Sequence, residues 1–218
     1  KNTGNIKDKK MGYYYADKDI FESIVKETGT DGKRHPLTFI LEAADDIAYK
    51  TADIEDAYVK GFISYYQLKE ELCQLQESEP ESPFKPLDKL EHKYESGVKR
   101  GVSNPEEYAV KNWIVQAQGF LINCATYGFT SNYNAIMEGT YGKDIFCGTY
   151  GEGLMNLLGD MAYRRVFTTP SIYKMEVAES VIMDFLMDKF VKAVLYYDTD
   201  VKLNDIDKRV VSFISENY

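Results

Sequence analysis

The sequence predicts an all-α protein. Apolar residues recur at helical spacing along most of the chain, proline and glycine stand where those segments begin and end, and no alternating apolar–polar pattern of any length occurs. The chain has 218 residues, of which 44% are hydrophobic, so it can bury a substantial core as one large domain or two small ones.

Three helices are predicted in the first third of the chain. The first lies in DKDIFESIVKETG, where Asp19 and Glu22 have the spacing of a capping box and Gly29 follows the last helical residue. The second lies in RHPLTFILEAADDIAYKTADIEDAYVKG, with Pro36 at its first position and Gly61 just past its end. The segment SYYQLKEELCQLQ is predicted to be helical as well.

A proline-rich stretch then divides the predicted regions. Four of the six prolines fall within residues 80–105. Residues 79–102 are therefore predicted to form a linker or a long surface loop, between a first region of residues 1–78 and a C-terminal helical region of residues 103–218.

The C-terminal region is predicted to hold four helices. A long one opens at the capping-box pair Ser103 and Glu106 and runs toward Met137, and glycine-rich turns follow it. GLMNLLGDMAYRRVF predicts the next helix, Pro170 starts another and Asn204 starts the last. The helix after Pro170 is predicted to turn these apolar residues toward the core: Ile172, Met175, Val181, Phe185, Phe190 and Val194.

Charge and cysteine content limit the partners and the compartment. The net charge of -9 argues against a surface for duplex DNA or an anionic membrane, and it gives no support to single-stranded DNA as a partner. No apolar run approaches the ~20 residues of a membrane span and no signal-peptide pattern occurs, so a cytoplasmic location without a membrane partner is predicted. Cys73, Cys124 and Cys147 fit neither a zinc spacing nor a disulfide framework and are predicted to be core thiols.

The second predicted helix combines acidic and apolar residues. At ~100° per residue, Asp45, Tyr49 and Asp53 follow one another along one side of the helix, the acidic stripe. A small apolar strip beside it is predicted to pack in a buried seam: Leu37, Leu41, Ala44, Ala48 and Ala52. Carboxylates at the border of a buried seam repel one another, and a divalent metal, alone or with a phosphorylated ligand, relieves that repulsion. The alternative is a solvated helix face beside a core strip.

The same helix carries a family resemblance. EAADDIAY followed by DIED, within the segment from Arg34 to Gly61, resembles the signature of bacterial dGTP triphosphohydrolases, which are HD-domain phosphohydrolases. KKMGYYYADKDIFESIVKETG resembles the segment before it, and NWIVQAQGFLIN and AYRRVFTTPSIYKMEVAESVIMDFL resemble later segments more loosely. The resemblance covers most of the chain and implies a helical HD-domain-like fold.

The resemblance also implies a reaction and roles for the acidic stripe. In this family two histidines and an aspartate from one part of the chain bind a divalent metal, and a further aspartate, here Asp45, completes the ligands. The metal is expected to be Mg or Mn, with Fe, Co or Zn as alternatives. Tyr49 is expected beside the deoxyribose, and Asp53 to accept a hydrogen bond from a sugar hydroxyl. The implied reaction converts dGTP and water to deoxyguanosine and tripolyphosphate.

Base contacts are implied by the later segment. Phe167 is expected to stack on guanine and Glu176 to accept hydrogen bonds from its N1 and N2 hydrogens, although Glu179 stands where the family commonly has glycine. In the alternative interpretation Phe167 is a core residue and Glu176 an exposed helix residue. Three arginines are further candidates for phosphate or base contact, with an ordinary surface role as the alternative: Arg164, Arg165 and Arg209.

The histidines depart from the family pattern. Only His35 and His92 occur, and neither precedes an aspartate. His35 is predicted to cap or pack at a helix start, and His92 to be exposed. The chain is therefore expected to be the C-terminal portion of such an enzyme, with residues 1–78 as the end of its catalytic core.

The partners follow from that expectation. An upstream segment of the same protein is expected to supply the other metal ligands, so the chain alone should be inactive. The other expected partners are dGTP or another dNTP and further copies of the protein in a homo-oligomer. The alternative function is a non-catalytic helical interaction or regulatory module, whose acidic stripe meets a basic partner.

Overall fold

Helices are the regular structure of this protein. The computed structural model describes residues 13–197 and 199–213, and every regular element within them is helical, which confirms the all-α class there. A 3-10 turn, Tyr15–Asp17, precedes the first α-helix, and a π-helical turn, Tyr163–Phe167, follows the seventh. The α-helices are α1 Lys18–Thr28, α2 Pro36–Val59, α3 Tyr65–Ser78, α4 Pro86–Lys99, α5 Pro105–Ser131, α6 Tyr133–Met137, α7 Glu152–Ala162, α8 Pro170–Tyr196 and α9 Asp205–Val211.

The chain divides into two compact units, the first ending at Arg165 and the second beginning at Val166. In the first unit α2 and α4 both pack along α5, while α7 packs on α2 and α3 packs on α4. Fully buried side chains from these helices form its core: Ile54, Leu68, Leu72, Leu90, Trp113, Leu121, Leu158 and Met161. Burial of such large apolar side chains is the main stabilising contribution to a fold of this kind.

Residues 79–102 do not form the predicted linker. They contain α4, which has Pro86 at its first helical position, so that a proline there starts a helix instead of marking a loop. Leu90 of α4 is fully buried, and the indole Nε1 of Trp113 donates a hydrogen bond to the Pro86 carbonyl oxygen at 2.9 Å. The loop prediction was therefore wrong for α4, which belongs to the core of the first unit.

Helix ends agree with the predicted signals in part. Pro36 is the first residue of α2, and Gly29 and Gly61 follow α1 and α2 with φ of 64° and 76°, a region that favours glycine. The helix predicted to run to Met137 is divided at Asn132 into α5 and α6.

Both predicted capping boxes were wrong. Asp17, not Asp19, is the residue that precedes α1, and it makes no capping hydrogen bond through its side chain. Asn104, not Ser103, precedes α5, and its side-chain oxygen accepts a hydrogen bond from the Glu107 backbone N–H at 3.2 Å. The cap is thus displaced by one residue from the predicted position.

The second unit contains α8 and α9, which pack against each other. Their predicted starts are confirmed, since Thr169 precedes α8 and the Asn204 side chain accepts a hydrogen bond from the Asp207 N–H at 2.8 Å. The predicted core face of α8 was wrong, because Ala193 is the buried residue among those described in this helix. The residues expected in the core are exposed or partly exposed: Ile172, Met175, Val181, Phe185, Phe190 and Val194.

Two further predictions concern the membrane and the cysteines. Within residues 13–197 and 199–213, no helix combines the length and the hydropathy needed to cross a membrane. The three cysteines are free thiols. Cys124 is buried, as predicted, whereas Cys73 and Cys147 are only half-buried.

Candidate functional site

The acidic stripe lies on the exposed side of α2. The other side faces α5 and α7, and apart from Glu42 its buried residues are Phe39, Ala43, Ile47, Thr51, Ile54 and Ala57. At ~100° per residue, Asp45 points about 170° away from the middle of that buried side and Asp53 about 90° away. Asp45 and Tyr49 are accordingly exposed, Tyr49 by 59%, and Asp53 is half-buried. The structure thus brings the three residues onto one stripe about 12 Å long.

The apolar strip beside the acidic stripe is not buried, so the predicted seam was wrong. All five residues are exposed: Leu37, Leu41, Ala44, Ala48 and Ala52. They lie about 130° around the helix from the buried side, where Phe39, Ile47 and Ile54 bury more apolar area than alanines can. An exposed apolar strip bordered by carboxylates is suited to contact with another segment or protein.

The start of α2 is fixed by polar contacts. Arg34 and Glu42 form a buried ion pair, and the Arg34 guanidinium lies 4.6 Å from the centre of the Phe39 ring. His35 precedes the helix, and its Nδ1 accepts a hydrogen bond from the Leu37 N–H at 3.2 Å, which confirms the predicted capping role. These contacts hold the turns of α2 that lead into the acidic stripe.

The middle of α2 is fixed by two further contacts. Lys50 Nζ donates a hydrogen bond to the carbonyl oxygen of Met155 in α7 at 3.2 Å. Gln118 Nε2 in α5 donates one to Thr51 Oγ1 at 2.8 Å. The helix is thereby tied to both of its neighbours at the level of the acidic stripe.

The fold perturbs the ionisation of Asp53 in the acidic stripe. Partial burial raises the pKa of Asp53 above its ordinary 3.8, and the Asp56 carboxylate raises it further, while Lys60 acts in the opposite direction. Lys60 Nζ lies 2.9 Å from Asp56 Oδ2, so this cation is shared with the neighbouring carboxylate. Carboxyl groups with a shifted pKa are frequent at binding sites.

Replacing Asp53 with asparagine is expected to raise the free energy of unfolding at pH 7 by a few tenths of a kcal/mol, because it removes a partly buried charge and, with it, a like-charge pair within one helix. The pKa of Asp53 is higher in the folded protein than in the unfolded chain, where it is 3.8. Such a carboxyl group lowers the free energy of unfolding as pH rises from the unfolded pKa through the folded pKa. The gain should therefore vanish below that unfolded pKa. Urea unfolding followed by circular dichroism measures it, with Asp184→Asn, on exposed α8, as control. A less stable Asp53→Asn protein at pH 7 would contradict this direction.

The residues present fit a metal ion only as part of a larger ligand set. In the part of the chain that the structure describes, no group of three or more His, Cys, Asp or Glu side chains could hold a metal. His92 is exposed on α4, as predicted, and His35 caps α2. Asp45 can supply one carboxylate oxygen, a ligand that Mg²⁺ and Mn²⁺ prefer, whereas a catalytic site commonly has three protein ligands.

The predicted base-contacting residues lie in the second unit. Phe167 ends the π-helical turn and is 37% exposed, so the alternative of a core residue was wrong. Glu176 is exposed in α8, which both interpretations allow. Their contacts with a nucleobase stay predictions.

Sequence reasoning missed contacts between residues that are far apart along the chain. Both terminal nitrogens of Arg164 donate to the Glu71 carboxylate, at 3.1 and 3.0 Å, and Arg165 lies 3.6 Å from it. The hydrogen bond from Arg164 lowers the pKa of Glu71 below its usual range. Arg164 and Glu71 are 93 residues apart, and Thr51 and Gln118 are 67 apart, so no local spacing signals either pair.

Known proteins resemble this chain over most or all of its length. A deoxyguanosinetriphosphate triphosphohydrolase-like protein of Listeria monocytogenes is 33% identical over 100% of the chain, which spans 46% of that relative. A probable deoxyguanosinetriphosphate triphosphohydrolase of Pseudomonas aeruginosa is 27% identical over 83% of the chain and 38% of its own length. A deoxyguanosinetriphosphate triphosphohydrolase of Yersinia pestis is 28% identical over 83% of the chain and 36% of its own length. The chain thus spans less than half of each of these relatives, and no family model matches it.

Proposed function

This chain is homologous over its whole length to the C-terminal portion of a deoxyguanosinetriphosphate triphosphohydrolase-like protein, and on that premise we propose that the protein carrying it hydrolyses dGTP, or another dNTP, in a metal-dependent reaction. The products are the deoxynucleoside and tripolyphosphate. The observation that carries the proposal is the placement of Asp45, Tyr49 and Asp53 along one stripe of α2, where the first two are exposed and Asp53 is half-buried.

Each residue of the acidic stripe has a role that its chemistry supports. The Asp45 carboxylate gives one oxygen ligand to a divalent ion, Mg or Mn, with Fe, Co or Zn as alternatives. The exposed Tyr49 ring offers an apolar surface with a hydroxyl at its edge, which suits a deoxyribose. An ionised Asp53 accepts a hydrogen bond from a sugar hydroxyl. The stripe therefore binds the phosphate end of the nucleotide near Asp45 and its sugar near the other two residues.

The reaction needs little covalent chemistry from this chain. A divalent ion held by Asp45 and the other ligands would supply an activated water and would hold the phosphate. The water oxygen joins the α-phosphorus, the bond from that phosphorus to the 5′-oxygen breaks, and the 5′-oxygen takes up a proton. Tyr49 and Asp53 orient the sugar relative to this bond, so that the reacting atoms are held in line.

The remaining contacts come from outside α2. The other metal ligands belong to an upstream segment of the same protein, and the exposed apolar strip supports this, because a segment that reaches Asp45 also covers Leu41, Ala44 and Ala48. Phe167 stacks on the base and Glu176 accepts from its N1 and N2 hydrogens. The active protein is a homo-oligomer in this proposal.

Hydrolysis by the complete protein is the direct test. With dGTP and Mn²⁺ or Mg²⁺, ion-exchange chromatography should resolve deoxyguanosine and tripolyphosphate in equal amounts, with activity lost in EDTA and restored by the ion. The isolated 218-residue chain should show no turnover in the same assay, because its described residues include no complete ligand set. A monophosphate product, or hydrolysis that persists in EDTA, would overturn the proposal. Absence of any metal-dependent nucleotide binding would favour the helical interaction module.

A further inference from the structure

Two consecutive residues hold α2 to two different helices. Lys50 Nζ donates to the Met155 carbonyl oxygen of α7, and Thr51 Oγ1 accepts from Gln118 Nε2 of α5. Thr51 is fully buried, and its own hydroxyl donates to the Ile47 carbonyl oxygen at 2.7 Å, so that the lone pair toward α5 is left for the glutamine. Lys50 and Thr51 are named the α2 anchor.

The α2 anchor resists rotation of the helix about its axis. Apolar packing has no preferred direction, and it is provided on the buried side of α2 by Phe39, Ala43, Ile47, Ile54 and Ala57. Hydrogen bonds require both a distance and an angle. Because Lys50 and Thr51 are ~100° apart around the helix, their bonds to α7 and α5 oppose rotation of α2 in addition to its apolar packing.

We propose that the α2 anchor positions Tyr49 and Asp53 against the sugar of the bound nucleotide, an inference that rests on the proposed function. Tyr49 directly precedes the α2 anchor, and Asp53 follows it by two residues. Side-chain ends lie roughly 6 Å from a helix axis, so a rotation of about 10° moves the Asp53 carboxylate by about 1 Å. A misplacement of that size is enough to cost a reaction a large factor in rate. Lys50 and Thr51 are positioning residues, since their polar groups are directed at α7 and α5.

The test compares two substrates in the complete protein. Thr51→Val keeps the side-chain shape but removes the acceptor for Gln118 Nε2, and Thr51→Ser restores it. The matched control is Thr126→Val, because the Thr126 hydroxyl donates to the backbone of its own helix, at the Ile122 oxygen. The values of kcat/KM are measured for dGTP and for 2′,3′-dideoxyGTP, which lacks the 3′-hydroxyl that Asp53 accepts from.

The preference of the wild type for dGTP over the dideoxynucleotide should fall by about tenfold in Thr51→Val. Thr51→Ser and Thr126→Val should stay within about twofold of the wild type. The ratio of kcat/KM for the two substrates does not depend on the fraction of folded protein, so general destabilisation leaves it unchanged.

Two outcomes overturn the inference. One is a kcat/KM ratio in Thr51→Val equal to that of the wild type, and the other is a lowered ratio that Thr51→Ser does not restore. If the valine variant does not fold, Gln118→Met removes the same hydrogen bond from α5 and decides the question by the same ratio. A wild type that hydrolyses neither substrate defeats the proposed function itself, and the inference with it.

Discussion

The complete protein with Asp45→Ala is expected to lose more than about 100-fold in kcat/KM for metal-dependent dGTP hydrolysis, beyond the effect typical of residues that only orient a metal ligand. The carboxylate is the single metal ligand that α2 offers in the proposed function, and alanine leaves no oxygen to replace it. Because Asp45 is exposed, the free energy of unfolding should change by less than about 0.5 kcal/mol.

The assignment of Asp45 as a metal ligand requires that Asp45→Ala lose activity without losing stability. The control is Asp56→Ala, which removes an exposed carboxylate from nearly the same side of α2, about 16 Å further along the axis. That variant should keep nearly all activity, while Asp45→Ala should also lose Mn²⁺ binding measured by electron paramagnetic resonance. Full activity of Asp45→Ala would contradict the assignment of Asp45 as a metal ligand. Equal losses in both variants would indicate a general effect of charge on this helix.

Local sequence signals predict where these helices lie better than which side they bury. Pro36 and Gly61 delimit α2 as predicted, because the preferences of proline and glycine act within a turn. Two apolar stripes run along that helix, and periodicity cannot choose between them. The choice depends on α5 and α7, which supply the facing residues, so Leu41 was placed in a seam although it is 71% exposed. The error for α8 is of another kind, because Ala193 is the buried residue among those described in that helix, so that no apolar stripe along it is buried.

In the candidate site, too, helical spacing predicts some features and only the packed fold reveals others. The common stripe of Asp45, Tyr49 and Asp53 follows from 3.6 residues per turn, and it could be predicted without any tertiary contact. The contact between Gln118 and Thr51 joins residues from separate helices, and only the packed fold reveals it. Proline gave a misleading signal at α4 because it both interrupts a helix and favours the first helical position.

Trp113→Ala is expected to lower the free energy of unfolding by about 3–5 kcal/mol, since it empties a large volume in the core of the first unit. The side chain is fully buried in α5, and its Nε1 donates to the Pro86 carbonyl oxygen at the start of α4. Alanine removes the packing and the indole hydrogen bond to that carbonyl, so α4 should be the part of the unit most loosened.

Urea unfolding followed by circular dichroism measures the decrease in the free energy of unfolding caused by Trp113→Ala. Hydrogen exchange along Pro86–Lys99 shows whether α4 is the part that is loosened. Trp113→Phe keeps an aromatic ring but not the donor and should lie between alanine and the wild type. The control is Tyr127→Ala, an aromatic truncation in the same helix at a side chain that is 64% exposed, which should cost less than about 0.5 kcal/mol. A loss below about 1 kcal/mol for Trp113→Ala would mean that α4 is only loosely attached. Residues 79–102 would then behave as the surface segment that their prolines suggest, and the first unit would have to be stable without them.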